Sequence, residues 1–280
     1  VETPSVKASI KSIINNKPIL LMTLSQILGS FAVGGSKQDY YIDVLNFASL
    51  GLITGIPGSI INPFSYMAVP WFRRHFSSRF LYIIGNKIDG ILLVPVFLVG
   101  CIGGKKHGLY KNIWVMGIAM MLWETIFMIF YGVRRIIPTE MYNEAMDYCE
   151  WKNGYRTEGM TSVAQGLASK LASIFSRYIS NYIKQLIGYD LTRYVRGTAQ
   201  TDETKFGLFA MFTIVPFLTG MISIIPMLFY DLSGKKKEKM YEELLERRAA
   251  MSKEATSGDL EALERLAKAQ MEIGNMKQEL

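Results

Sequence analysis

The feature that most constrains this chain is a set of long apolar runs almost free of charge. IWVMGIAMMLWETIFMIFYGV, residues 113–133, carries one ionisable acidic or basic side chain, Glu124, and ILLVPVFLVGCI, residues 91–102, carries none. A helix needs about 20 mostly apolar residues to cross the hydrocarbon core of a bilayer. A soluble core helix of that length would keep a polar face, which these runs largely lack. The 20% of residues that are charged cluster between the runs, and mean hydropathy is +0.18. The reading is an all-α integral membrane protein.

Six spans are expected, at residues 17–36, 49–71, 80–103, 113–134, 159–187 and 206–230. A lead-in loop (1–16) precedes them, and the six-helix transmembrane region closes at 232. Residues 233–280 form a charged helical tail, broken at Ser257-Gly258 and read as a solvated cytoplasmic helix. The second span holds Gly51, Gly55, Pro57, Gly58, Asn62 and Pro63, which predicts a kink or break, with Asn62-Pro63 as the break. The net charge of +7 would suit nucleic acid, but topology accounts for it better. With the N-terminus inside, one side receives Lys7, Lys11, Lys17, Arg73, Arg74, Arg79, Arg134, Arg135, Lys152, Arg156 and Lys235-Lys236-Lys237. The other receives the smaller set Lys37, Lys105, Lys106, Lys111, Lys184, Arg193, Arg196 and Lys205. That bias places both termini in the cytoplasm of a multi-pass plasma-membrane protein, with no nucleic-acid partner. The polar, basic start argues against a cleaved signal peptide, and Val1, not being Met, leaves the natural start open. Cys101 and Cys149 are expected on opposite sides, and no metal-ligand spacing or nucleophile constellation is present, so no metal site or enzyme activity is expected.

The densest charge lies in DYCEWKNGYRTEG, residues 147–159. An ordinary cytoplasmic loop would account for Trp151, Lys152 and Arg156. The interleaved Asp147, Glu150 and Glu158 point further, to ion pairs that latch neighbouring helix ends in one access state and release in another. The pattern DY-x-EWK-x-G-x-R-x-EG resembles the signature loop of the glycoside–pentoside–hexuronide:cation symporters, the melibiose-permease-like branch of the major facilitator superfamily. Asp147, Tyr148, Glu150, Trp151, Lys152, Gly154, Arg156, Glu158 and Gly159 match; Cys149 stands where a small residue is more usual. NKPILLM, QDYYIDVL, KLAS, IGYD and YDLSGKKKEKMYEELLERR follow in the family's order, so the resemblance covers about Asn15 to Arg248.

The resemblance implies a six-helix bundle like the C-terminal half of a twelve-helix transporter. It implies cation-coupled symport (Na⁺ or H⁺) of a sugar or glycoside, with the loop as a cytoplasmic gate. The coupling cation's ligands would lie mostly in the absent N-terminal half, so that half or a homodimer is an expected partner beside lipid and sugar, and no cofactor is expected. The alternatives are a carrier for another organic solute such as a lysolipid, or a non-transporting scaffold or sensor.

Within the chain, Ser162, Gln165, Ser169, Ser173 and Ser176 recur three and four apart, forming one polar stripe. Lys170 lies beside it and Arg177 two turns on. About eleven residues past Gly159, or roughly 16 Å along a helix, Lys170 is too deep to snorkel easily and should face protein or water; the resemblance places a lysine there opposite the cation site. Glu124 is the other deep charge, read either as a proton-sensitive carboxylate or partner of Lys170, or as a protonated group bonded to a neighbouring helix. Gln26, Ser30, Lys37 and Tyr41 share one face of the first span, as path lining or as interfacial placement. Lys87 and Asp89 are expected to pair or to reach the inner interface.

Overall fold

The computed structural model describes residues 14–154, 158–190, 192–193, 199–256 and 267, and among these the regular structure is helical throughout. In chain order the principal helices are α1 (Lys17–Ser30), α2 (Lys37–Asp43), α3 (Leu50–His75), α4 (Ser78–Gly100), α5 (Gly104–His107), α6 (Ile113–Ile129), α7 (Tyr131–Asn153), α8 (Glu158–Leu186), α9 (Asp202–Gly220), α10 (Ile224–Leu228) and α11 (Lys235–Thr256). Among the described residues three stretches are long and apolar enough to cross a membrane: Ser78–Gly100, Ile113–Lys152 and Asp202–Leu228. The chain divides into two compact units, one of Val1–Ser25, Thr139–Ala168 and Pro226–Leu280, the other of Gln26–Pro138 and Ser169–Ile225.

The second unit is built on aromatic packing. Tyr40, Tyr41 and Tyr110 are fully buried with Phe209, Met116 and Met120. A buried phenol needs a hydrogen-bond partner, and the Tyr40 hydroxyl donates to the Tyr110 carbonyl at 2.6 Å. Phe209 stacks on Tyr110 and on Phe97, with centroids 5.4 and 5.6 Å apart. Large apolar side chains also face outward, among them Leu52, Ile60 and Phe64 of α3 and Trp114, Ile118 and Leu122 of α6. Such surface is costly in water and at no cost in lipid.

Several boundaries differ from expectation. The first span ends at Ser30; after the non-helical stretch that follows, Ser36 caps a separate helix, its Oγ accepting from the Gln38 amide at 3.1 Å. The second span is unbroken: α3 runs through Pro57, Pro63 and Pro70, so Asn62-Pro63 is not a helix break. α3 and α7 touch at Gly132, whose amide donates to Ser65 Oγ at 3.0 Å. A Cβ on Gly132 would meet the Ser65 carbonyl oxygen at 2.6 Å. The fourth span passes Arg134: after Phe130 the chain re-enters helix and continues to Asn153. The sixth begins at Asp202 and breaks after Gly220 into a 3₁₀ turn, Met221–Ser223. Lys87 donates to the Gly220 carbonyl at 2.7 Å, satisfying a helix-end acceptor, while Asp89 stands 3.9 Å from Arg134; the two are not each other's partners.

Candidate functional site

In the first unit the described part of the signature segment is largely helical. Asp147–Lys152 form the last turns of α7, which ends at Asn153 with Gly154 in the left-handed region (φ 80°) and its amide bonded to the Glu150 carbonyl at 2.9 Å. A glycine just past a helix end takes that conformation without steric cost. Arg156 lies outside the described residues; Glu158 and Gly159 open α8.

The tail helix α11 is not simply solvated, because one of its faces is apolar and docks. Met240 and Leu244, four apart on one face, are 0% and 1% exposed, in the same unit as buried Met141, Ala145, Met146 and Cys149 of α7. Around that seam the motif's carboxylates meet the tail's bases. Arg248 donates to Asp147 at 3.1 Å and to Glu150 at 2.7 and 3.2 Å. Lys237 pairs with Glu144, and the Trp151 indole donates to Glu243 at 2.5 Å. The Tyr148 ring carries Lys236 over its face at 5.2 Å. Hydrogen bonds donated to Glu150 and Asp147 push the Arg248 pKa up. Burial, then the Glu144 and Asp147 charges, push the Tyr241 phenol up to about 12. Burial works against the charge of Asp231, but bonds from Lys236 (3.0 Å) and Lys17 (3.1 Å) prevail and hold its carboxyl below the usual range. Asn16 completes the region, donating to the Ala145 carbonyl at 2.8 Å.

In the second unit a separate cluster forms where α2, α3 and α6 meet. Lys37 donates to both oxygens of Glu124 at 3.3 Å. Thr54, fully buried, donates to Glu124 at 3.2 Å and bonds the Tyr41 hydroxyl at 3.4 Å. The Lys37 ammonium stands 5.8 Å from the Tyr41 ring centre and 5.9 Å from that of Trp123, within cation–π range. Thr54 also lines an otherwise apolar cavity of about 400 Å³ between α3 and α6, with Leu50, Ile53, Gly117 and Met121 in its wall. Nearby, Lys184 bonds Asp39 at 2.5 Å, and the Tyr189 hydroxyl donates to Asp43 at 2.9 Å.

A family model described as MFS/sugar transport protein matches residues 2–234. The chain belongs to that family. Its similar relatives are named as a carrier, an importer and a symporter. It is 23% identical to the glucuronide carrier protein homolog of Escherichia coli over 251 residues, 87% of this chain and 50% of that one. It is 25% identical to a putative sulfoquinovose importer of the same organism over 260 residues, 87% and 49% of the two chains. A Bacillus subtilis protein described as an uncharacterized symporter matches at 24% over 248 residues. The chain spans about half the length of the curated relatives it matches.

The residues singled out from sequence fall as follows. Glu124 is paired with Lys37, not with Lys170. Tyr41 is 0% exposed and lies in the aromatic core, because the chain breaks helix after Ser30. Gln26 stays exposed, and Ser30 bonds back to the Gln26 carbonyl at 2.9 Å. Members of the polar stripe of α8 bond within the chain. Gln165 donates to Thr23 within the first unit; Ser176 donates to the Ala32 carbonyl at 2.6 Å within the second. Ser173 bonds the Ser169 carbonyl, and Ser169 Oγ is buried without a hydrogen-bond partner among the described residues. The side chain of Ser162 lies outside what is described. Lys170 and Arg177 are exposed. Sequence reasoning missed Thr54, Trp123 and Arg248. Only Arg248 carried a signal, as a base in the tail opposite a motif rich in acids.

Proposed function

We propose that this chain supplies the C-terminal six-helix half of a cation-coupled symporter for a sugar or glycoside, with both termini in the cytoplasm. The family match over residues 2–234 carries the reading, and the relatives named for a glucuronide and for sulfoquinovose support a sugar-like solute. On this reading two bundles rock about a central site, as in transporters built of repeated halves. Lys170, exposed on α8, adjusts the electrostatics of the coupling site. Asp147 and Glu150, joined to Arg248, act as a latch that holds in one access state and releases in the other.

The test is uptake of labelled sugar by vesicles containing the protein under an imposed Na⁺ or H⁺ gradient. Gradient-driven uptake that Lys170→Ala abolishes is the expected result. Uptake indifferent to both gradients removes the cation coupling, and function without any sugar removes the solute.

A further inference from the structure

The connection between α4 and α6 is tightly turned and basic. Gly103 and Gly104 take left-handed conformations, with φ 93° and 73°, and the Leu109 amide closes the turn on the Ile102 carbonyl at 2.9 Å. Tyr110, fully buried, donates to the Lys105 carbonyl at 2.5 Å. The Lys111 ammonium donates to the Lys106 carbonyl at 2.7 Å and to Asp202 of α9 at 2.6 Å. These bonds fix the backbone and leave Lys105, Lys106 and His107 exposed. Lys105 stands 5.8 Å from the centre of the Phe206 ring on α9, and Lys106 and Lys205 lie within electrostatic reach of Asp202. Asp202 and Glu203 are the acids in the first turn of α9, and Asp202 is already held by Lys111, so the surplus here is positive. Lys105, Lys106, Lys111 and Lys205 all belong to the side that the charge bias leaves poorer in bases, and topology alone does not account for their gathering.

Beneath this turn an apolar groove of about 220 Å³ runs between α4 and α6, walled by Val96 and Val99 on one side and Ala119, Leu122, Trp123 and Ile126 on the other. The α6 residues recur three and four apart, the spacing of one helix face. The Trp123 indole is satisfied within the chain, donating to the Asp89 carbonyl at 3.0 Å, so an occupant meets hydrocarbon. Val99 is the next-to-last residue of α4, and Ala119 lies six residues, roughly 9 Å, inside the start of α6. A chain lying in the groove therefore brings its head to the level of the lysines. We propose that turn and groove together form a site for an anionic phospholipid, with the headgroup phosphate at Lys105, Lys106 and Lys205 and one acyl chain along α4 and α6. Charge complementarity selects this occupant: a neutral headgroup leaves the lysines unmatched, and a free anion leaves the groove unfilled. Bulk lipid tails are as apolar as the groove, so selectivity resides in the lysines. The proposal is independent of the transported solute.

The experiment is native mass spectrometry of the chain in a neutral detergent, titrated with dioleoyl phosphatidylglycerol and with dioleoyl phosphatidylcholine. The two lipids share their acyl chains and differ in net headgroup charge, and the readout is the ratio of their affinities. Wild type should favour phosphatidylglycerol. Lys105→Gln/Lys106→Gln, at two exposed positions, should lower that ratio roughly tenfold or more, the range for two lysines at an anionic headgroup. Val99→Trp should weaken both lipids and leave their ratio in place; Val99 is exposed at the rim, so the larger side chain covers the groove and not the core. A ratio unmoved by the lysine variant overturns the proposal, as does a Val99→Trp chain that binds both lipids like wild type. Inorganic phosphate that binds as tightly as phosphatidylglycerol would make the lysines a plain anion site and overturns it too.

Discussion

The two charged regions of this protein use the same chemistry at different density. Along the α7–α11 seam many ion pairs sit at a half-open surface, and Arg248, 43% exposed, serves Asp147 and Glu150 at once. At Lys37 a single half-buried pair stands beside Tyr41, Thr54 and Trp123. The two regions are about equally open to water, since the Glu124 and Asp147 side chains are both 14% exposed, and partly exposed pairs are each worth about 0–1 kcal/mol. What differs is the number of partners. A seam of many weak contacts can open and close, whereas at Lys37 one carboxylate serves both the lysine and Thr54.

The comparison can be broken from its strongest side first. Gly132→Val should be the most damaging change, because its Cβ would strike the Ser65 backbone where α3 and α7 meet. Overpacking of this kind costs about 1–3 kcal/mol or more, and it should appear as a lower unfolding midpoint in detergent. Glu124→Ala comes next. It strands Lys37 and Thr54 together and should cost about 1–3 kcal/mol, with Lys37→Gln/Glu124→Ala partly restoring the midpoint. A double-mutant cycle that finds no coupling would show that the Lys37 pair is no stronger than the surface ones.

Arg248→Ala should barely move the global midpoint, by about 1 kcal/mol or less. It should, however, speed amide exchange across Lys235–Ala250 by releasing the tail from Asp147 and Glu150. Unchanged exchange would mean that Met240 and Leu244 alone fasten the helix. The smallest effect concerns Asp231. Its folded pKa lies below the unfolded value, so its stabilisation is complete at neutral pH and is lost only as pH falls through the folded value, below about pH 4. Asp231→Asn should lower the midpoint slightly near pH 7, leave it unchanged at acid pH where the carboxyl is already protonated, and so flatten the acid limb of the midpoint-against-pH curve.

Much of the organisation was legible in the residues. The nearly uncharged run at 113–133 required a helix suited to lipid, and the charge and tryptophan of 147–152 marked a segment rich in possible pairs. Two of its acids, Asp147 and Glu150, both bind Arg248. What misled was continuity. Lys37 and Tyr41 were assigned to the face of Gln26 and Ser30 on the assumption of one helix, and the break after Ser30 separates them. The reverse occurred in α3, where Pro57, Pro63 and the neighbouring glycines suggested a kink or break and the helix runs on.

The sequence by itself determined the membrane-suited helical class, the family through its signature segment, and the identities of the acids and bases available for pairing. These follow from composition and short-range spacing, which a helix converts directly into faces. Only the tertiary structure decided who pairs with whom: Glu124 with Lys37 across 87 residues, and Arg248 with Asp147 across 101. Ion pairing depends on distance in space and on what excludes water around the pair, and neither is fixed until helices far apart in the chain have packed.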